Sequence, residues 1–126
     1  MNVPTPIVLV VENDALVRAL AIEVVEDAGF AAIDVSNADE ALAILESRTD
    51  IAMVFTDIDM PGSMDGLKLA HAVRNRWPPI KIIMVSGKAH LSKADLPSDS
   101  KFVSKPYVVS AMISEMQASL VRSERC

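Results

Sequence analysis

Short apolar runs alternate along this chain with longer stretches in which apolar residues recur every three or four positions. Ile7 to Val11 is wholly apolar and β-branched, the pattern of a strand buried on both faces. A helix follows, with Leu16, Leu20, Val24 and Val25 at helical spacing. Asn13 or Asp14 caps it and Gly29 stops it. Ala31 to Val35 reads as a second strand. Asn37 with Glu40 resembles a capping box that opens a helix through Leu42 and Leu45. Ile51 to Phe55 is a third strand running into Thr56 and Asp57, and Met60-Pro61-Gly62-Ser63 is turn chemistry. A helix from about Leu67 to Trp77 ends at Pro78-Pro79. Ile80 to Val85 is the fourth strand, stopped by Ser86-Gly87. Ala89 to Leu96 has room for two helical turns before Pro97, and Lys101 to Ser104 is a short fifth strand. Met112, Ile113, Met116, Leu120 and Val121 mark the inner face of a last helix.

Five apolar strands alternating with about five helices predict an α/β fold with a parallel sheet covered on both sides. The working site of such a sheet lies at the carboxyl ends of its strands. The polar residues that end the strands, Glu12 and Asn13, Asp57, Ser86 and Lys105, are therefore expected to converge.

Composition narrows the field. The 126 residues show no linker, so one domain over 1–126 is expected, with no output domain. Apolar residues at 51% suffice for an ordinary core, and aromatics at 4% make that core aliphatic, with the seven methionines mostly as filler. A net charge of -5 argues against a nucleic-acid or anionic-membrane surface. Cys126 is the lone cysteine, which excludes an internal disulfide, and the apolar run before Glu12 is too short for a signal or a membrane span. A cytoplasmic protein is expected. His71 and His90 lack metal-ligand spacing and read as surface or helix-face residues.

The strand-end residues form a set suited to phosphoryl transfer. A carboxylate such as Asp57 acts as a nucleophile toward phosphorus. Acidic and amide oxygens from the first strand, with Asp57, can hold Mg2+. Lys105 supplies an ammonium to one phosphate oxygen and Ser86 a hydroxyl to another, so catalysis is positioning plus charge neutralisation.

Four runs in order, V-V-E-N-D at 10–14, D-I-D-M-P-G-S-M-D-G at 57–66, V-S-G at 85–87 and S-K-P at 104–106, resemble the signatures of response-regulator receiver domains in two-component signalling. The resemblance covers nearly the whole chain. It implies a flavodoxin-like sandwich with strand order 2-1-3-4-5, and a chain that accepts a phosphoryl group on Asp57 from a histidine kinase or a histidine phosphotransfer protein. It further implies a Mg2+ (or Mn2+) cofactor held by Glu12, Asn13, Asp57 and the Asp59 backbone carbonyl. Lys105 is then the phosphate-contacting lysine, Ser86 the switch hydroxyl, and Phe102 an aromatic that reorients with it. Asp59 and Lys88 fall where side chains tune the reaction. The signal leaves through a surface that contacts a downstream protein, with neither nucleic acid nor membrane as partner.

The chain departs from the pattern at three places. Asn13 stands where a second acidic residue is usual, and brings an amide oxygen without charge, which lowers the metal affinity expected. The Met60–Asp65 loop is one residue longer than usual. The span from Ser86 to Phe102 is short and contains Pro97, so the fourth helix is expected to be short or mobile. Structural roles compete at several positions: a helix cap for Asn13, a solvated loop residue for the Asp59 side chain, a core or rim aromatic for Phe102, a surface lysine for Lys88, a turn and helix start for Asp65-Gly66. Two enzyme classes share part of the motif, a haloacid-dehalogenase-type phosphatase using Asp57 and Asp59, and a Toprim domain pairing Glu12 with them. A degenerate receiver that binds partners without phosphorylation is the non-enzymatic alternative.

Overall fold

A computed structural model describes residues 4–62, 64–87 and 91–124. Five parallel strands, β1 (Ile7–Val11), β2 (Ala31–Val35), β3 (Ile51–Asp57), β4 (Lys81–Ser86) and β5 (Ser100–Ser104), form one sheet in the order β2-β1-β3-β4-β5. The helices are α1 (Ala15–Asp27), α2 (Ala38–Ser47), α3 (Gly66–Arg76) and α4 (Val109–Glu124). The two-residue period of a strand divides β1 between two cores. Leu9 and Val11 face α2 and α3 together with Leu45, Leu69 and Val73, whereas Val8 and Val10 face α1 and α4 together with Val25, Met112 and Met116.

The first three helices each start on a side chain that takes up an otherwise unpaired backbone N–H. Asp14 accepts from Val17 N at 3.0 Å, Asn37 from Glu40 N at 2.8 Å, and Asp65 from Lys68 N at 2.9 Å. Of the two candidates at the first helix it is thus Asp14 that caps, while Asn13 lies exposed at the rim. The apolar stripe of α1 is also displaced from its expected place. Ala21, Val24 and Val25 are buried, but Leu16 and Leu20 are 70% and 52% exposed. In α4, Met112, Met116 and Leu120 are buried as the pattern requires.

Among the described residues four α-helices replace the expected five. Among the described residues between β4 and β5 stands a three-residue 3-10 turn, Lys93–Asp95. Leu91 and Leu96 pack on the α2–α3 core beside Phe102. The polar side of this segment is tied to α3 instead of forming its own helix. Arg74 donates to the carbonyls of Ser98 (2.7 Å), Asp99 (3.0 Å), Pro78 (2.6 Å) and Ile80 (2.9 Å), and His71 Nε2 lies 2.9 Å from the Asp95 carbonyl. One planar guanidinium with five N–H donors thus satisfies two carbonyls of this segment, Ser98 and Asp99, together with two between α3 and β4, Pro78 and Ile80.

Register sets the site. Val11 pairs with Thr56, Asp57 with Val85, and Ser86 with Ser104, so the strands end level with one another. The residues just beyond or at those ends, Glu12, Asp57, Ser86 and Lys105, are delivered to one rim.

Candidate functional site

Glu12, Asp57 and Ser86 are buried, at 4%, 7% and 2% exposure, which is unusual for two carboxylates unless they are paired. Lys105 supplies the pairing. Its Nζ is 2.9 Å from Asp57 Oδ2 and 3.6 Å from Glu12 Oε1. Glu12 Oε2 accepts from the Asp14 N–H at 3.0 Å, and Asp57 Oδ1 accepts from the Asp59 N–H at 2.9 Å. Arg18 braces the loop from below, donating to the Glu12 carbonyl at 3.0 Å and pairing with Asp34 at 3.2 Å. Two carboxylates thus share one ammonium.

The titration of the group follows from this arrangement. Burial pushes the Glu12 carboxyl above its ordinary value; the Asp14 N–H and Lys105 oppose the rise, and the neighbouring Asp57 carboxylate adds to it. Burial acts to lower the Lys105 pKa, but Asp57 and Glu12 outweigh it and hold the ammonium above its usual range. Burial likewise raises the Tyr107 phenol. A raised Glu12 means that the folded state binds this proton more tightly than the unfolded chain. Its stabilising effect is present below the unfolded value of 4.5 and is lost as pH rises through the folded value. Glu12→Gln is therefore expected to melt higher than the parent at pH 7 with a chelator present, and the gap should close toward pH 4. Thermal melts across that range check this, and a variant that melts lower at pH 7 contradicts it.

The sequence-predicted residues fall in distinct places. Ser86 Oγ donates to Asp59 Oδ2 at 2.5 Å, so the Asp59 side chain, although exposed, is engaged and is not simply a solvated loop residue. Asn13 lines a recess of about 380 Å³ with Asn37, Asp39, Pro61 and Gly62. Phe102 is half-buried against the α2–α3 core on the edge strand β5, with β4 between it and the strand that carries Asp57. Lys88 lies outside the described residues. Gly66 has a role that the motif did not reveal: a Cβ there would sit 1.9 Å from the Asp57 carbonyl oxygen. The D-G pair at 65–66 signals a helix start in sequence, but not which backbone the glycine touches.

A hard divalent cation fits the donor chemistry. Glu12 and Asp57 bring two buried anions against one ammonium, an excess of negative charge, and their oxygens suit Mg2+. Among the described residues no three His, Cys, Asp or Glu side chains cluster to hold a metal, so the amide of Asn13 and backbone oxygens would have to complete the set.

The architecture is a flavodoxin-like sandwich with two buried carboxylates and one lysine gathered at its carboxyl rim. The chain belongs to the response regulator receiver domain family, whose pattern matches residues 8–117, and it is a receiver domain of two-component signalling. It is 29% identical over 117 residues to the response regulator receiver protein CpdR of Brucella abortus, covering 90% of this chain and 96% of that protein. It is 31% identical over 121 residues to the sensor kinase CckA of the same organism, covering 93% of this chain but only 13% of that protein. A receiver protein from Sinorhizobium medicae superposes with a TM-score of 0.87 at 28% identity, over 94% of this chain and 97% of that one. A CheY-like receiver from Methanospirillum hungatei does so with 0.86 at 23%, over 97% and 98%, and speaks for the fold. No helix among the described residues is long and apolar enough to cross a membrane.

Proposed function

We propose that this receiver domain accepts a phosphoryl group on Asp57, and the observation that carries the reading is the ion pair of Asp57 with Lys105 at 2.9 Å in a pocket that also buries Glu12. An Asp57 oxygen attacks the phosphorus of a phosphohistidine. The P–O bond forms as the P–N bond breaks, and the imidazole leaves with the electron pair and takes a proton from solvent. The product is an aspartyl phosphate, a mixed anhydride. Glu12, Asn13, Asp57 and the Asp59 carbonyl would hold Mg2+, which when bound would supply neutralising charge for that transfer. Lys105 turns its ammonium from Asp57 to a phosphoryl oxygen, and Ser86 donates to another. A cytoplasmic histidine kinase or phosphotransfer protein is the donor we infer.

The surface beside the pocket supports a protein donor. A groove of about 630 Å³ runs from Lys105 and Gly87 between α1 and the loop entering α4, lined by Val17, Leu20, Tyr107 and Val109. Leu20 at 52% and Val109 at 49% exposure leave it open to an apolar partner. The phosphatase reading is weaker, because it needs Asp59 as proton donor and the Asp59 carboxylate instead accepts from Ser86.

The test is incubation with acetyl phosphate and Mg2+, read by intact mass. One phosphoryl group that hydroxylamine removes is the expected result. No adduct, or one resistant to hydroxylamine, overturns the proposal. Lys105→Met retains the length of the side chain without its charge, and is expected to slow adduct formation by roughly 100-fold. Single-turnover kinetics would show it, and an unchanged rate would remove Lys105 from the mechanism.

A further inference from the structure

Asp59 holds two parts of the pocket at once. Its main-chain N–H donates to Asp57 Oδ1 at 2.9 Å, and its carboxylate accepts from the Ser86 hydroxyl at 2.5 Å. The second bond is short and charge-assisted, the strong kind. A serine hydroxyl has one hydrogen, so donating it to Asp59 and donating it to a phosphoryl oxygen exclude each other. The main chain of Ser86 is held by the sheet. It is 2% exposed, pairs with Ser104 in the sheet, and its carbonyl accepts from the Lys105 N–H at 2.9 Å. Rotation of the hydroxyl is the movement open to it.

We propose that the Asp59 carboxylate is an internal competitor of the phosphoryl group for Ser86, holding the switch hydroxyl in the unphosphorylated state and losing it on phosphorylation. The proposal rests on the receiver reading given above. Its driving force is charge. Phosphorylation places a charge of roughly -2 on Asp57, two residues from a carboxylate that is already exposed and turns into water at little cost. The arriving anion repels Asp59 and offers Ser86 a replacement acceptor, so the two changes favour each other. Asp59 is in this sense a positioning residue: it acts on the phosphoryl group through Ser86 and need not touch it. The bond also sets a threshold, since the domain switches only when the new acceptor outcompetes the old one.

The experiment is a double-mutant cycle on the full chain with beryllium trifluoride as the phosphoryl stand-in, at saturating Mg2+. Asp59→Ala is expected to bind it about tenfold more tightly than the parent, the loss of one charge-assisted competitor. In a Ser86→Ala background the same substitution should change affinity less than about twofold, because no hydroxyl remains to be competed for. Asp59→Asn, which keeps an acceptor but no charge, should fall between parent and Asp59→Ala. In the absence of the stand-in, the Ser86 Cβ chemical shift of Asp59→Ala should already lie part-way toward the bound value. An equal gain in both backgrounds would mean that Asp59 acts on the anion by charge alone; that overturns the competition and leaves the receiver reading standing. Failure of the parent itself to bind beryllium trifluoride would overturn the phosphoacceptor reading instead.

Discussion

Asp57→Asn is expected to leave no phosphoryl adduct at all after treatment with acetyl phosphate and Mg2+, where the parent carries one group. The amide is close in shape, so the fold survives, but its oxygen is not a nucleophile toward phosphorus. The informative question is whether Glu12 takes over, since Lys105 reaches both carboxylates. The structure gives a reason why it should not: burial raises the Glu12 pKa, so it is the poorer anion. Intact mass followed by peptide mapping measures this. A residual adduct on residues 10–14 would show that the pocket does not distinguish its two carboxylates, and the assignment of Asp57 would fail.

How much of this was legible in the chain varies by the range over which each feature is decided. β1 and β3 are buried on both faces and read as unbroken apolar runs, so they and the strand order implied by the family resemblance agree with the structure. Asn13 and Asp14 are both good caps by type, and only the backbone decides between them: Asp14 has extended dihedrals and reaches Val17 N. Leu16 and Leu20 keep helical spacing yet stay exposed, because burial depends on what packs against each side of α1, which no window of sequence contains. The Ser86–Asp59 bond joins residues 27 positions apart through side chains whose types fit several roles. A short fourth helix was expected from Pro97 and the short span, and among the described residues a 3-10 turn stands there; Arg74 reaching the Ser98 and Asp99 carbonyls of that segment was not legible. An arginine on a helix is read as solvated unless its surroundings are known.

Gly66→Ala should be among the most damaging single-methyl additions available to the chain. The added Cβ would lie 1.9 Å from the Asp57 carbonyl oxygen, 2.7 Å from its carbonyl carbon and 2.8 Å from Ile58 Cα. All three are main-chain atoms, so no side chain can turn aside. The main chain there is pinned as well, since Ile58 N–H donates to Val85 at 2.9 Å and the Ile58 carbonyl accepts from Gly66 at 3.0 Å. Relief requires α3 to withdraw from β3, which loosens Leu69, Ala70 and Val73 in the core and moves the backbone that aims Asp57. We expect a loss of roughly 3 kcal/mol or more, seen as a melting temperature lower by about 10 °C. Phosphorylation by acetyl phosphate should slow in the fraction that remains folded. Gly62, in the same loop, is the internal control. Its φ of +117° disfavours a side chain, but a Cβ there meets nothing within 4 Å. Gly62→Ala should thus cost only about 1–2 kcal/mol of backbone strain and leave the Asp57 main chain where it is. Equal losses in the two variants would mean that positive φ, and not the approach of α3 to Asp57, governs this loop, and the claim that Gly66 positions the acceptor would fall.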